Sequence, residues 1–162
     1  MKQKANLLLS KWKQYWQNYV WQSIAATCGI AAVLTVFKIN RSPIIIASLG
    51  ATTFIIFAMP TDITAKGSHV IGGHLVGILT GLACSLLPDA TITLSIVSLA
   101  LAVGISLFIM VVIDTEHPPA CGTALGIAHA GFDYITVASI IAAAVILSLI
   151  RILLKDRLKD LV

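Results

Sequence analysis

The sequence predicts an all-α integral membrane protein, built as a polytopic bundle of transmembrane helices. Of its 162 residues, 58% are hydrophobic and only 11% are charged, whereas an average soluble domain is about 25% charged. The few acids and bases between residues 42 and 150 divide the sequence into apolar blocks near the ~20 residues that cross a bilayer. This length allows one transmembrane domain, expected over residues 20–154.

The first 19 residues differ from the rest. Leu8, Trp12, Trp16 and Tyr19 recur at helical spacing, with lysines and glutamines between them. This pattern is typical of an amphipathic helix that lies on the membrane face, with its aromatic rings among the headgroups. A helix that binds a partner is the alternative.

Basic residues cluster at both ends of the sequence, including a short C-terminal tail over residues 155–162. Positive charge is retained in the cytoplasm, so we expect both termini there and a bacterial inner membrane as the location. The lipid bilayer is the expected partner, and nucleic acid is not expected.

Six apolar segments follow the amphipathic stretch. They cover residues 20–37, 43–59, 69–87, 91–113, 117–132 and 134–150. The fifth segment is short, since its 16 residues reach only about 24 Å as a helix. If the second and fifth segments cross the membrane there are six spans, and if they are re-entrant there are four.

A weak internal repeat relates the two halves of the domain. Pro43 is followed by Leu49-Gly50, and Pro119 is followed at the same distance by Leu125-Gly126. Each half then reads as a long segment, a Pro/Gly-interrupted segment and another long segment. Because three crossings per half is an odd number, the halves would have opposite orientations. Two inverted three-segment repeats are therefore expected, as in many transporters.

The prolines of these interrupted segments predict helix starts. Proline suits the first turn of a helix and breaks its interior, so His117-Pro118-Pro119 and Ser42-Pro43 each mark a start. The first N–H groups of a helix have no partner within it. Two starts that face each other inside the membrane would form an anion site at their positive ends. The alternative is a start at the membrane surface that binds nothing.

Further polar side chains are expected at this site, because polar groups are costly inside a membrane and are placed there for function. The expected site consists of both helix starts, His74, the hydroxyls of Ser48 and Thr123, and the neighbouring Gly50 and Gly122. Lys66 and Arg41 are expected to draw anions to a vestibule. Because histidine can carry a proton near neutral pH, the choice between a channel and a proton-coupled carrier stays open.

Glycines predict where helices approach closely. Gly73, Gly77 and Gly81 recur every four residues and form a smooth ridge, and Gly126 is expected to serve the same purpose. Ridges of this kind are also available for contact in a homo-oligomer.

Other function classes are less well supported. The three cysteines are scattered without a CxxC pair, which indicates packing residues. The sequence contains none of the common nucleophile, zinc or phosphate-loop motifs, so we expect neither an enzyme nor a cofactor or metal. Two rivals remain: a proton- or cation-conducting channel lined by Asp114 and Glu116, and a structural membrane protein without transport.

Three separated stretches resemble the HPP family of integral membrane proteins. They are EHPPACGTALGIA (116–128), SLGATTFIIFAMP (48–60) and HVIGGHLVG (69–77), and the resemblance extends over roughly residues 18–154. It implies a compact multi-helix membrane protein. Plant chloroplast and cyanobacterial members of that family are associated with nitrite transport. The sequence therefore favours a transporter or channel for a small monovalent anion, with nitrite as the first candidate.

Overall fold

A computed structural model of the protein describes residues 2–37 and 42–162, and these residues form six α-helices and one 3₁₀ turn without any strand. The elements are α1 (Lys2–Phe37), α2 (Pro43–Ala58), the 3₁₀ turn (Ile63–Ala65), α3 (Gly67–Ser85), α4 (Ile92–Val112), α5 (Pro119–Ala130) and α6 (Tyr134–Leu154). The predicted all-α fold is confirmed.

Four helices are long and apolar enough to cross a membrane. They contain the spans Trp12–Phe37, Gly67–Ser85, Ile92–Val112 and Tyr134–Leu154. Helices α2 and α5 have only 16 and 12 residues, which corresponds to about 24 and 18 Å. Both are shorter than the ~30 Å hydrocarbon core. The protein is therefore a polytopic helical bundle with two short inner helices.

The amphipathic stretch does not form a separate helix. Helix α1 continues from Lys2 to Phe37 without a break at the expected boundary near residue 19. Trp12 and Trp16 are exposed, and the ring of Trp12 stacks on that of Tyr19 with centroids 5.8 Å apart. A straight helix of this length would reach about 54 Å, well beyond the hydrocarbon core. Interfacial placement of the first 19 residues stays a prediction.

The helix contacts are symmetric between the two halves of the sequence. Helix α1 packs on α2 and α6, while α4 packs on α5 and α3. The contact of α2 with α6 corresponds in the same way to that of α5 with α3. Two further contacts, α2–α5 and α3–α6, join equivalent helices of the two halves. Exchanging α1, α2 and α3 for α4, α5 and α6 reproduces this set of pairs. Two three-helix halves related by a two-fold axis in the membrane plane would have this arrangement.

Helices α3 and α5 approach closely because α3 presents three glycines to α5. A Cβ atom added to Gly73 would lie 2.6 Å from Cβ of His117, and one added to Gly81 would lie 2.6 Å from the carbonyl oxygen of Ala124. At Gly77 it would overlap the carbonyl oxygen of Ala120. Every position of this ridge therefore excludes a side chain.

The basic C-terminal segment packs against the bundle. Gln22 of α1 is completely buried, and its amide nitrogen donates to the carbonyl oxygens of Phe57 and Lys159. Its amide oxygen accepts the N–H of Lys159 at 3.0 Å. The N–H of Leu161 donates to the carbonyl oxygen of Ala58 at 2.9 Å. These bonds join the C-terminal segment to α1 and to the end of α2.

Replacing Gln22 by alanine is expected to release this segment. The change removes the bonds to the backbone N–H and carbonyl of Lys159, and a typical hydrogen bond contributes about 0.5–1.5 kcal/mol. Limited trypsinolysis followed by mass spectrometry should show faster cleavage after Arg157 in the variant. Gln17→Ala is the matched control, because Gln17 is exposed on the same helix. Equal cleavage of the two variants would show that Gln22 does not hold the segment.

Candidate functional site

Five polar side chains meet inside the bundle. They come from α2, α3, α5 and the residue that leads into α5, and we call them the histidine cluster: Ser48, Thr52, His74, His117 and Thr123. Ser48 is 4% exposed and the other four are completely buried. Polar groups buried to this degree need hydrogen-bond partners.

The hydroxyl of Thr52 joins the two imidazoles. Its Oγ1 lies 3.0 Å from Nε2 of His74 and 3.0 Å from Nε2 of His117. The ring centroids are 5.1 Å apart. A hydroxyl carries one proton and two lone pairs. It can therefore donate to one ring while accepting from the other.

The outer partners of the rings indicate the direction of these bonds. Nδ1 of His117 lies 2.8 Å from the carbonyl oxygen of Thr64, which can only accept, so Nδ1 carries a proton. In one consistent arrangement Nε2 of the neutral His117 ring accepts from Thr52, Thr52 accepts from Nε2 of His74, and Nδ1 of His74 accepts from Thr123 at 2.9 Å. The contacts of Thr52 with the Ser48 carbonyl oxygen at 3.1 Å and of Ser48 with Thr123 at 2.9 Å then carry no proton. These tautomers follow from the bonding pattern.

Ser48 completes the cluster at its inner end. Its Oγ lies 2.9 Å from Oγ1 of Thr123 and donates to the carbonyl oxygen of Pro119 at 2.6 Å. Ser48 precedes Thr52 by one helical turn, so both hydroxyls lie on the face of α2 that meets α5. Within the described residues, every side-chain polar atom of the cluster therefore has a partner.

The backbone at the start of α5 is also satisfied internally. Pro119 is the first residue of α5, as the proline pair predicts. The N–H of Ala120 donates to the carbonyl oxygen of His117 at 2.8 Å, and that of Cys121 donates to Pro118 at 3.1 Å. These two donors, which we expected to be free for a ligand, are bound within the turn that leads into α5.

The two helix starts do not face each other. Ser48 contacts Pro119 near the start of α5, while Gly126, near the end of α5, packs on Ile45 near the start of α2. The helices therefore run antiparallel, and their starts lie at opposite ends of the contact. The expected site between the Ser42-Pro43 and His117-Pro118-Pro119 starts is therefore wrong. Only the start of α5 adjoins the histidine cluster.

Of the remaining expected site residues, some lie beside the cluster and others lie on the surface or away from it. Gly122 faces the side chain of Ser48, whereas Gly50 is exposed and has open space at its Cβ position. Pro118 is exposed and Pro119 is buried. The side chain of Ser42 does not cap α2. Arg41 lies outside the described residues.

The histidine cluster lies below one end of the bundle. His117 is level with Thr52, six residues before the end of α2, and it packs on Gly73, six residues after the start of α3. Both counts correspond to about 9 Å. The start of α5 is thus recessed within the protein, with its positive end toward the cluster.

A short loop holds the outer side of His117. Asp62 accepts from the N–H and the hydroxyl of Thr64 at 2.8 and 2.6 Å, and these bonds lower the pKa of Asp62. They order the turn whose Thr64 carbonyl binds His117. Lys66, two residues later, is exposed and lies at this end of the bundle.

Two of these contributors, Thr52 and Thr64, are not among the site residues expected from the sequence. Thr52 is one of several hydroxyl residues in its segment, but its spacing of four from Ser48 places both on one helix face. That spacing was the available signal. Thr64 contributes only its backbone carbonyl, for which the sequence carries no signal.

The fold and the cluster define a polytopic α-helical integral membrane protein with a buried polar site at a recessed helix start. The family described as "HPP, transmembrane region" matches residues 11–159. The chain belongs to the HPP family, as the three stretches suggested. No curated protein and no solved structure matches it in the comparisons made.

Proposed function

We propose that this protein carries a small monovalent anion across the membrane, with nitrite as the first candidate, through the histidine cluster. The observation that carries the proposal is that two buried histidines and three buried hydroxyls meet in one hydrogen-bonded cluster inside the bundle. Polar groups are costly inside a membrane, and they are placed there for function.

The chemistry of the cluster suits an anion. Hydroxyl protons rotate freely, and a neutral imidazole offers one N–H, so several donors can turn toward one bound ion. None of the five members carries a carboxylate, which would repel it. The positive end of α5 adds to the attraction, as at the interrupted helices of other transporters.

In this proposal the histidine cluster of the structure is in a closed state. Each donor of the cluster already binds another member or a carbonyl oxygen. An entering anion must therefore replace these bonds, and Thr52 is the first candidate because it joins both imidazoles. Lys66 on the surface would draw anions toward this end. We assign that face to the cytoplasmic side of a bacterial inner membrane, because basic segments are retained in the cytoplasm.

The test is ion flux in proteoliposomes of the purified protein. Flux should appear with nitrite, and nitrate, formate and chloride establish the selectivity. Replacing His74 or His117 by alanine should lower flux at least ~10-fold, equivalent to about 1.4 kcal/mol in the barrier. His129→Ala is the matched control, since His129 is exposed at the far end of α5.

Two results would contradict the proposal. Flux of potassium or protons without anion flux would favour the alternative function, a proton- or cation-conducting channel. Absence of all flux from a correctly folded sample would favour a structural role. Repeating the assay with and without a proton gradient separates a channel from a coupled carrier.

A further inference from the structure

A second group of polar side chains lies at the start of α3, at the end of the bundle nearer the histidine cluster. His69 in the first turn of α3 meets Asp114 and Glu116 from the loop between α4 and α5. One ligand atom from each side chain lies within 4.8 Å of the other two. His69 precedes the two acidic residues by 45 and 47 positions in the sequence, so local sequence spacing does not reveal the group.

Two atoms of this group are buried without a hydrogen bond. Nδ1 of His69 and Oε2 of Glu116 have no hydrogen-bond partner among the described residues. They face each other at 3.5 Å, and the His69 side chain is only 5% exposed. Buried polar atoms without partners are destabilising. A third group between them would satisfy both.

We propose that His69, Asp114 and Glu116 bind a divalent transition-metal ion of the zinc or manganese type. Imidazole nitrogen and carboxylate oxygen bind such ions at about 2.0–2.2 Å, and two ligands of a tetrahedral ion are then about 3.4 Å apart. The observed 3.5 Å between His69 and Glu116 agrees with that separation.

The ligand set and its exposure favour this class of ion. One nitrogen and two carboxylates suit zinc, manganese or ferrous iron. Calcium and magnesium prefer oxygen ligands alone, with six or more positions filled. Asp114 is exposed, so an ion can enter from solution and water can complete its coordination.

The ion would also neutralise two carboxylates of the loop between α4 and α5. It would tie the start of α3 to the loop that leads into His117. Metal binding is independent of the transport proposal, because its test does not involve flux.

The experiment measures metal binding by the purified protein after its affinity tag is removed. Isothermal titration with Zn²⁺ or Mn²⁺ in nanodiscs should give one site per chain, and bound Mn²⁺ should change its electron paramagnetic resonance spectrum. Asp114→Asn and Glu116→Gln should each raise Kd at least ~10-fold, the loss that even an outer-shell partner causes. Thermal unfolding without metal shows whether each variant is folded.

Asp89→Asn and His129→Ala are the controls, because both residues are exposed outside the group. They should bind metal as the wild type does. Absence of saturable binding by folded wild-type protein would overturn the proposal. So would affinity that Asp114→Asn and Glu116→Gln leave unchanged, which would show that the ion binds elsewhere and that His69 and Glu116 form an ion pair without metal.

Discussion

Replacing Gly77 by alanine is expected to destabilise the protein by at least ~2 kcal/mol, because overpacking a close contact typically costs 1–3 kcal/mol. The new methyl group would overlap the carbonyl oxygen of Ala120. Backbone atoms cannot move aside as the end of a flexible side chain can, so α3 and α5 must separate. That separation would also stretch the bond between His74 and Thr123.

Gly50→Ala and Gly104→Ala are matched controls for this prediction. Both glycines are in helices and have no atom within 4 Å of the added Cβ position. Alanine in a helix interior is favoured over glycine by about 0.5–1 kcal/mol, so these variants should be as stable as the wild type or slightly more so. Thermal unfolding in detergent gives the melting temperature of each of the three variants. A Gly77→Ala variant with the melting temperature of the controls would contradict the close packing.

Replacing Thr52 by valine is expected to lower anion flux at least ~10-fold, or about 1.4 kcal/mol in the barrier. Valine has nearly the shape of threonine but no hydroxyl, so both Nε2 atoms lose the group that joins them. Each unpaired buried atom costs about 1–3 kcal/mol. The folded protein should therefore also unfold at a lower temperature.

Thr53 provides a close control for Thr52. It is the next residue of α2 and is 5% exposed. Among the described residues, its hydroxyl bonds only to the Leu49 carbonyl of its own helix. Thr53→Val should retain flux and most of the stability. Thr52→Ser keeps the hydroxyl and should restore much of the flux. If Thr52→Val and Thr53→Val behave alike, the hydroxyl that joins the histidines has no functional role.

Much of the fold could be predicted because its signals are local. Hydropathy locates the apolar helices, and proline fixes the starts of α2 at Pro43 and α5 at Pro119. Amphipathic composition could not predict that α1 continues past residue 19, because interfacial and transmembrane stretches of one helix share the same periodicity.

The site was less predictable because it depends on how the helices pair. The sequence indicated His74 and His117 as polar residues in apolar segments, but the antiparallel packing of α2 on α5 decides which hydroxyls they meet. The N–H groups of Ala120 and Cys121 illustrate the same limit. Whether a helix start offers free donors depends on the preceding turn, and here the carbonyls of His117 and Pro118 accept them.

The recessed start of α5 has an electrical consequence for an ion at the histidine cluster. The cluster lies about 9 Å below the ends of its neighbouring helices. With those ends set at the edge of the ~30 Å hydrocarbon core, a monovalent ion that reaches the cluster from this face would cross about a third of the membrane potential, or about 0.8 kcal/mol per 100 mV. The remaining two thirds would fall beyond the cluster, on the side of Ile45, Leu49 and Ile127. Passage through that part of the bundle should be the step that depends most strongly on voltage.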